Sequence, residues 1–307
     1  MSLPLSVIIS TYNIRRYNDT VDVITSLSKQ TFNKFEVIVV VDENKKYYKA
    51  LQKFVISNDI PNVKIIFNPT NRGLSYSRNI SIRYSKGDIV AYLDDDVVVS
   101  PNWAREIVRT FKKWNNVGAV AGHILPMWMD KDISWFPEEL YWMISCSYTL
   151  TPKREAEVDR GFGANMAFRK DLLLDLGGFK EDLGLNRGKW VGGEDTDMFL
   201  RIKEKGYKVI FNPKALVYHK IYPNRIKIKT LIKRALGGGR SVAIMRKRYK
   251  YVPKKESNYL KLILHNFYVL KTSNFLKNPS KEYIKQFGAV TLVVLFEGLG
   301  YLLEKVR

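Results

Sequence analysis

The chain has 307 residues, 46% of them hydrophobic, a formal net charge of +21 and a single cysteine, Cys146. That is enough apolar material for a sizeable core and too much for a disordered chain, and the length allows one large domain or a core domain with an extension. One cysteine excludes an intrachain disulfide and a cysteine-based zinc site, and fits a reducing compartment. The charge is uneven. Residues 220–307 hold 20 Lys+Arg and 4 Asp+Glu, a net of +16, whereas residues 1–219 carry a net of only +5. A basic tail of this kind attracts anionic lipid or nucleic acid, or forms a solvated helix face.

In chain order, the opening Met-Ser-Leu-Pro-Leu lacks the basic region and cleavage site of a signal peptide. Leu5–Ser10 is a short β-branched run and predicts a buried strand, broken by Thr11, Tyr12 and Asn13. Residues 17–30 predict a helix, with Val21, Ile24 and Leu27 on one face. Phe35–Val41 predicts a second buried strand ending at Asp42, and residues 45–57 a helix. Val63–Phe67 is a third strand. A turn at Asn68–Gly73, containing Asn71 and Arg72, leads to a helix over 74–85. Ile89–Leu93 is a fourth strand, followed at once by Asp94, Asp95 and Asp96. Residues 101–114 are helical, with Pro101 suited to the first turn.

Strand–helix alternation of this kind predicts a parallel, doubly wound α/β sheet. Ligands bind such sheets beyond the carboxyl ends of the strands, where Thr11–Asn13, Asp42 and Asp94–Asp96 all fall. Three adjacent carboxylates are either an exposed acidic turn or a site for a hard divalent cation.

Val117–Ala121 predicts a further strand. Residues 123–150 are rich in Trp and Tyr and suit core packing or a cleft wall. Gly161–Phe168 reads as a strand entered through glycines, which permit close backbone approach. Gly192-Gly193-Glu194-Asp195-Thr196-Asp197 opens a helix closing at Gly206. Acidic residues there complement the helix dipole, and the twin glycines would let the turn approach a substrate. Tyr207–Phe211 and Ala215–Tyr218 read as two short strands, with His219 after the second. Residues 225–250 read as helical except at Gly237–Gly239, where a break or hinge is expected. Tyr259–Leu270 and Phe287–Leu303 are apolar. The latter is short for a spanning helix and contains Glu297, so interfacial or partner docking and ordinary packing both remain open. The charge shift places a domain boundary near 220, giving 1–220 and a basic helical extension over 221–307.

The ordered set Ser6–Asn13, Val37–Asp42, Asn71–Asn79, Gly87–Asp96 and Gly192–Asp197 resembles a family 2 inverting glycosyltransferase of the GT-A fold over about residues 4–220. Overall the chain resembles archaeal-type enzymes that extend dolichyl-phosphate-linked glycans. The resemblance implies a nucleotide-sugar donor, commonly a UDP-sugar, and Mn2+ or Mg2+. It implies that Thr11, Tyr12, Asn13, Asp42, Asn71, Arg72, Gly73, Arg78, Asp94 and Asp95 surround the donor, and that Asp94, Asp96 and His219 hold the metal. It further implies that Asp195 is the general base, with Asn165, Arg187 and Glu194 on the acceptor side. The acceptor expected is a sugar hydroxyl, in a lipid-linked or other glycan, because a bare phosphate needs no base. The basic tail implies peripheral attachment to the anionic cytoplasmic face of the cell membrane. A soluble enzyme using the tail as an oligomer interface is the alternative. Nucleic-acid binding is disfavoured, since the sequence carries no recognition motif.

Overall fold

A computed structural model of the protein describes residues 4–186, 189–249 and 281–306, the side chains of 185–191 excepted. Arg187 and the 259–270 segment therefore lie outside the described residues. The chain divides into two compact units. The first comprises Met1–Met127, Pro152–Trp190 and Glu194–Lys220; the second comprises Trp128–Thr151, Val191–Gly193 and Ile221–Arg307.

The first unit begins with the expected alternation: β1 (Leu5–Thr11), α1 (Tyr17–Ser28), β2 (Phe35–Asp42), α2 (Lys45–Ser57), β3 (Val63–Asn68), α3 (Leu74–Tyr84) and β4 (Ile89–Leu93). These four strands are mutually parallel, with Leu5 opposite both Phe35 and Ile89. β2 is buried along its whole length, which explains its unbroken apolar run. Asn44 caps α2 by accepting from the Tyr47 amide at 2.9 Å.

After β4 come β5 (Val97–Val99), α4 (Trp103–Lys113), β6 (Val117–Trp128), β7 (Ala156–Glu157), β8 (Asn165–Arg169) and α5 (Lys170–Asp175). They are followed by β9 (Gly184–Asn186), β10 (Lys189–Val191), α6 (Glu194–Glu204) and β11 (Lys208–Ile221). Among the described residues the main sheet runs β3-β2-β1-β4-β8-β6-β11-β5, with β7 on β11, while β9 and β10 pair separately. β8 is antiparallel to both β4 and β6, and β11 is antiparallel to β5. The sheet is thus parallel through its first four strands and mixed beyond them.

Several boundaries differ from the expected ones. β6 continues past Ala121 to Trp128, and β8 starts only at Asn165. Residues Lys208–Ile221 form one long strand rather than two, so His219 lies within β11 and opposite Val97, not after a strand. The Asn212-Pro213 step, which lies between the two expected strands, is absorbed locally. Asn212 is fully buried, donates to Thr110 Oγ1 at 2.8 Å and accepts from the Lys214 amide at 2.8 Å.

The core of this unit gathers Ile8, Ile38, Val90, Tyr92, Phe168 and Phe199. Tyr92 meets the edges of Phe168 and Phe179 at 6.1 and 5.1 Å, an arrangement worth about 0.5–1.5 kcal/mol per pair beyond area burial. Gly206, at φ 81°, closes α6 as expected, and the Tyr207 amide reaches back to Ile202 O at 3.2 Å.

In the second unit, α7 (Ile228–Arg248) runs unbroken through Gly237–Gly239, and α8 (Lys281–Lys305) packs along it. The expected break is corrected by the role of the glycines. A Cβ on Gly239 would stand 1.9 Å from Glu297 O, and one on Gly300 would stand 2.2 Å from Leu236 O. The missing side chains let two helix backbones touch. The 287–303 window lies inside a 25-residue helix, long and apolar enough to cross a membrane by length and composition alone, which corrects its expected shortness. Only 28% of its most apolar 18 residues is buried. Glu297 is on the buried side, while Ile284, Leu295, Leu299 and Leu302 are exposed.

Candidate active site

The Asp94–Asp96 triplet occupies the turn from β4 to β5. Two like charges about 4 Å apart repel by about 4 kcal/mol at an effective dielectric near 20, so the cluster needs compensation. Each carboxylate has its own. Asp96 is buried, with Oδ1 3.1 Å from His219 Nε2 and Oδ2 bonded to Arg16 Nη1. Asp95 Oδ2 accepts from Thr11 Oγ1 at 2.5 Å. Asp94 Oδ1 lies 3.7 Å from Arg78 Nη2. Burial, then the Asp96 charge, pushes the Asp95 carboxyl up to about 7. Burial disfavours a charged Arg16, but Asp96 and Asp95 outweigh it and hold the guanidinium charged.

Asp94, Asp96 and His219 each offer one ligand atom, and these atoms all lie within 4.8 Å of one another. Two hard carboxylate oxygens and one imidazole nitrogen fit a divalent cation such as Mn2+ or Mg2+. β5 and β11 build the group: the antiparallel pairing of His219 with Val97 sets the histidine next to Asp96. Behind it, Lys220 Nζ pairs with Asp19 Oδ1 at 2.9 Å, and Asp19 Oδ2 lies 3.5 Å from Arg16 Nη1. Arg16 and this buried relay were missed in the sequence; the available signal was a basic residue three positions after Asn13, just past a strand end.

A second group meets the first through Arg78, which is buried. Its Nη1 donates to Glu194 Oε1 at 3.1 Å and its Nη2 to Gly163 O at 3.4 Å, with its charge over the Tyr92 and Phe179 rings. A Cβ on Gly163 would come 2.8 Å from Arg78 Nη2, so a side chain there would displace the guanidinium. The Gly163 amide donates to Asp195 Oδ2 at 3.0 Å, and the Thr196 amide donates to Asp195 Oδ1 at 2.6 Å. Burial, then the Asp195 charge, pushes the Glu194 carboxyl up to about 7, against the pull of Arg78. Asp197, three residues after Glu194, is different. It is fully buried and paired with Arg201, whose guanidinium also ties Leu176 O and Gly178 O.

Asp42 stands at the end of β2, buried, with Asn68 Nδ2 at 2.7 Å and Ser77 Oγ at 2.5 Å. Burial raises its carboxyl, and both neutral donors oppose that. Thr11 is buried at the end of β1, Tyr12 is 50% exposed, and Asn13 caps the turn at Ile14–Arg16 by accepting from the Arg15 amide at 3.1 Å. Asn71 accepts from the Gly73 amide at 3.1 Å, and Gly73, at φ 97°, opens α3. Arg72 is exposed, pairs with Glu181 at 2.9 Å and covers the Tyr76 ring at 4.0 Å.

Asn165 is not an open contact. It is fully buried and its amide is spent: Nδ2 donates to His123 O and Ala215 O at 3.0 and 2.8 Å, and Oδ1 accepts from Trp103 Nε1 at 2.8 Å. It ties β6, β8, β11 and α4 together, which replaces its expected place facing an acceptor. Trp103 and Ser77 were also missed, because a helix-opening Trp and a mid-helix Ser read as packing.

Residues 6–177 match the glycosyl transferase family 2 model, and residues 147–225 match a model described as the N-terminal domain of galactosyltransferase. The chain is 30% identical over 300 residues to a glucosyl-dolichyl phosphate glucuronosyltransferase of Haloferax volcanii, covering 97% of this chain and 95% of that protein. Among solved structures it resembles a mannosyltransferase of Pyrobaculum calidifontis, in complex with GDP-Man and Mn2+, at a TM-score of 0.65 and 19% identity over 99% of this chain and 88% of that one. It also resembles GalNAc-T7, solved with UDP, GalNAc and Mn2+, at a TM-score of 0.59 and 18% identity over 96% of this chain and 57% of that one. The fold is that of the GT-A glycosyltransferases. The chain belongs to glycosyl transferase family 2 and is a glycosyltransferase.

Proposed function

We propose that this enzyme is metal-dependent and inverting, and that it moves a sugar from a nucleoside-diphosphate donor, a UDP-sugar, to a hydroxyl of a dolichyl-phosphate-linked sugar. The observation that carries the reading is the continuity from the Asp94–Asp96–His219 group through Arg78 to Asp195. The acceptor class is drawn from the Haloferax relative, whose name joins a glucosyl-dolichyl phosphate to a glucuronosyl transfer.

Asp94, Asp96 and His219 would hold Mn2+ or Mg2+. The chemistry such a cation would supply there is neutralisation of the charge on the departing diphosphate. Asp42 accepts a hydrogen bond from a ring N–H of the base, and Thr11, Tyr12, Asn13, Asn71, Arg72 and Gly73 line the donor. Asp195 takes the proton of the acceptor hydroxyl as its oxygen attacks the anomeric carbon. The new carbon–oxygen bond forms on the face opposite the breaking bond to diphosphate, so the anomeric configuration inverts. The hydrogen bonds from Gly163 and Thr196 hold Asp195: Oδ1 accepts from both the amide and the hydroxyl of Thr196, while Oδ2 accepts only from Gly163 and keeps a lone pair for the proton. Arg78 carries charge between the two groups, and Glu194 shapes the acceptor side. The basic extension and the exposed apolar side of α8 support peripheral attachment to an anionic cytoplasmic membrane face.

A thermal-shift screen of nucleotide sugars with Mn2+ or Mg2+ tests the donor assignment. A donor at 100 times its Kd adds about 2.7 kcal/mol of stability. UDP-sugars with metal should raise the Tm, and Asp96→Ala should remove the metal-dependent part. No response to any nucleotide sugar, or an unchanged response in Asp96→Ala, overturns the reading.

A further inference from the structure

The loop that delivers Asp195 is anchored before it reaches α6. Gly192 and Gly193 belong to the second compact unit, together with α7. The Ser241 hydroxyl, on α7, donates to Gly192 O at 2.6 Å. Gly193 has φ 103°, a conformation other residues adopt only under strain, and its Cα side faces Ser241 and Met245, with an added Cβ 3.4 Å from each. Ser241 and Met245 are both buried.

The hydroxyl has one proton and two acceptors. It also lies 2.9 Å from Gly237 O, one turn back on its own helix. A helical serine ordinarily satisfies itself there. Here the shorter contact leaves the helix for the loop, so the bond is a tether rather than a self-contained cap. The helix that supplies it is braced in turn, because Gly239 and Gly300 bring α7 and α8 into backbone contact. Two peptide bonds after Gly193 stands Asp195, whose carboxylate is fixed from its other side by the Gly163 amide.

We infer that Ser241 is a positioning residue for the general base: the basic C-terminal extension, through α7, sets the turn that presents Asp195. This rests on the reading of Asp195 as the base, and it gives the extension a task separate from membrane attachment. The tether acts on geometry, not on donor contacts. It therefore sets kcat and leaves donor KM alone, since small misplacements of a catalytic group cost as much as about 100-fold.

The test uses full-length Ser241→Ala and Ser241→Thr, with the donor identified by the thermal-shift screen and a dolichyl-phosphate-linked glucose acceptor. Ser241→Ala should lose about tenfold in kcat with donor KM within twofold, and Ser241→Thr, which keeps the hydroxyl, should recover most of the loss. Hydrogen–deuterium exchange supplies a readout that needs no substrate: uptake over residues 190–197 should rise in Ser241→Ala and return in Ser241→Thr. Unchanged kcat and unchanged exchange in Ser241→Ala overturn the inference. So does a loss that the threonine variant fails to rescue while its Tm matches wild type. Failure of the base assignment itself is seen separately, as full activity in Asp195→Asn.

Discussion

The strand-end cluster and the α7–α8 helix pair solve opposite problems. At the strand ends, carboxylates are brought together and must be compensated one by one: Asp96 by Arg16 and His219, Asp95 by Thr11, Asp94 by Arg78. In the helix pair, side chains are removed so that backbones meet, at Gly239 and Gly300. The first region is written in residue types that announce themselves. The second is written in absences, and glycine in a helix reads equally as a hinge or as a contact.

That comparison can be broken at single glycines. Gly239→Ala gains helix propensity of about 1 kcal/mol, but forces its Cβ against Glu297 O and should lose about 1–3 kcal/mol through overpacking, a net destabilisation. Gly288→Ala and Gly298→Ala, on α8 with open space around them, should stabilise by up to about 1 kcal/mol. Denaturant unfolding of the three variants decides it. Stabilisation by Gly239→Ala would show that the close approach of α7 and α8 is not what the glycines serve.

The outer side of α8 gives a smaller effect. Leu299→Glu places a charge among exposed apolar residues and should reduce flotation of full-length protein with phosphatidylserine vesicles by about tenfold, with phosphatidylcholine vesicles binding weakly throughout. Equal partition of variant and wild type, joined to a concentration-dependent dimer, would favour a soluble enzyme with the extension as its interface.

At the opening of α6 the smallest effect is a pH dependence. Glu194 is raised from an ordinary glutamate value to about 7, mainly by burial. Below about pH 4.5 it is protonated both folded and unfolded. Between about 4.5 and 7 the unfolded chain has released the proton while the folded site retains it, so this group's contribution falls as pH rises. Glu194→Gln should flatten that decline, with its Tm gaining on wild type from pH 5 to pH 7.5. A gap that does not change with pH contradicts the shift.

The α/β alternation to residue 114 was legible because β1, β2 and β4 are short, buried, largely apolar runs between helices, and β3 keeps an apolar run, Ile65–Phe67, although it is half-exposed and carries Lys64. The mixed half was less so. β5 is three valines after an acidic turn, and β11 passes through Asn212-Pro213, which mimics a boundary until Asn212 is seen buried among α4 groups. The candidate site was legible where chemistry-bearing residues stand at strand ends, as at Asp42 and Asp96, or open a helix behind twin glycines, as at Asp195. Asn165 was misjudged because a buried amide and a ligand-facing amide look identical in one dimension. Arg16, Lys220 and Ser241 gain meaning only from partners tens to hundreds of residues away.

The central claim is proton transfer at Asp195 during glycosyl transfer, and Asp195→Asn tests it most directly. The amide keeps the shape and one of the two backbone hydrogen bonds, from Gly163 or from Thr196, but cannot take a proton at neutral pH. With donor, metal and dolichyl-phosphate-linked glucose, kcat should fall by about 100- to 10,000-fold, the range for loss of a general base, while donor Kd stays within twofold. A variant that transfers at the wild-type rate would contradict the account.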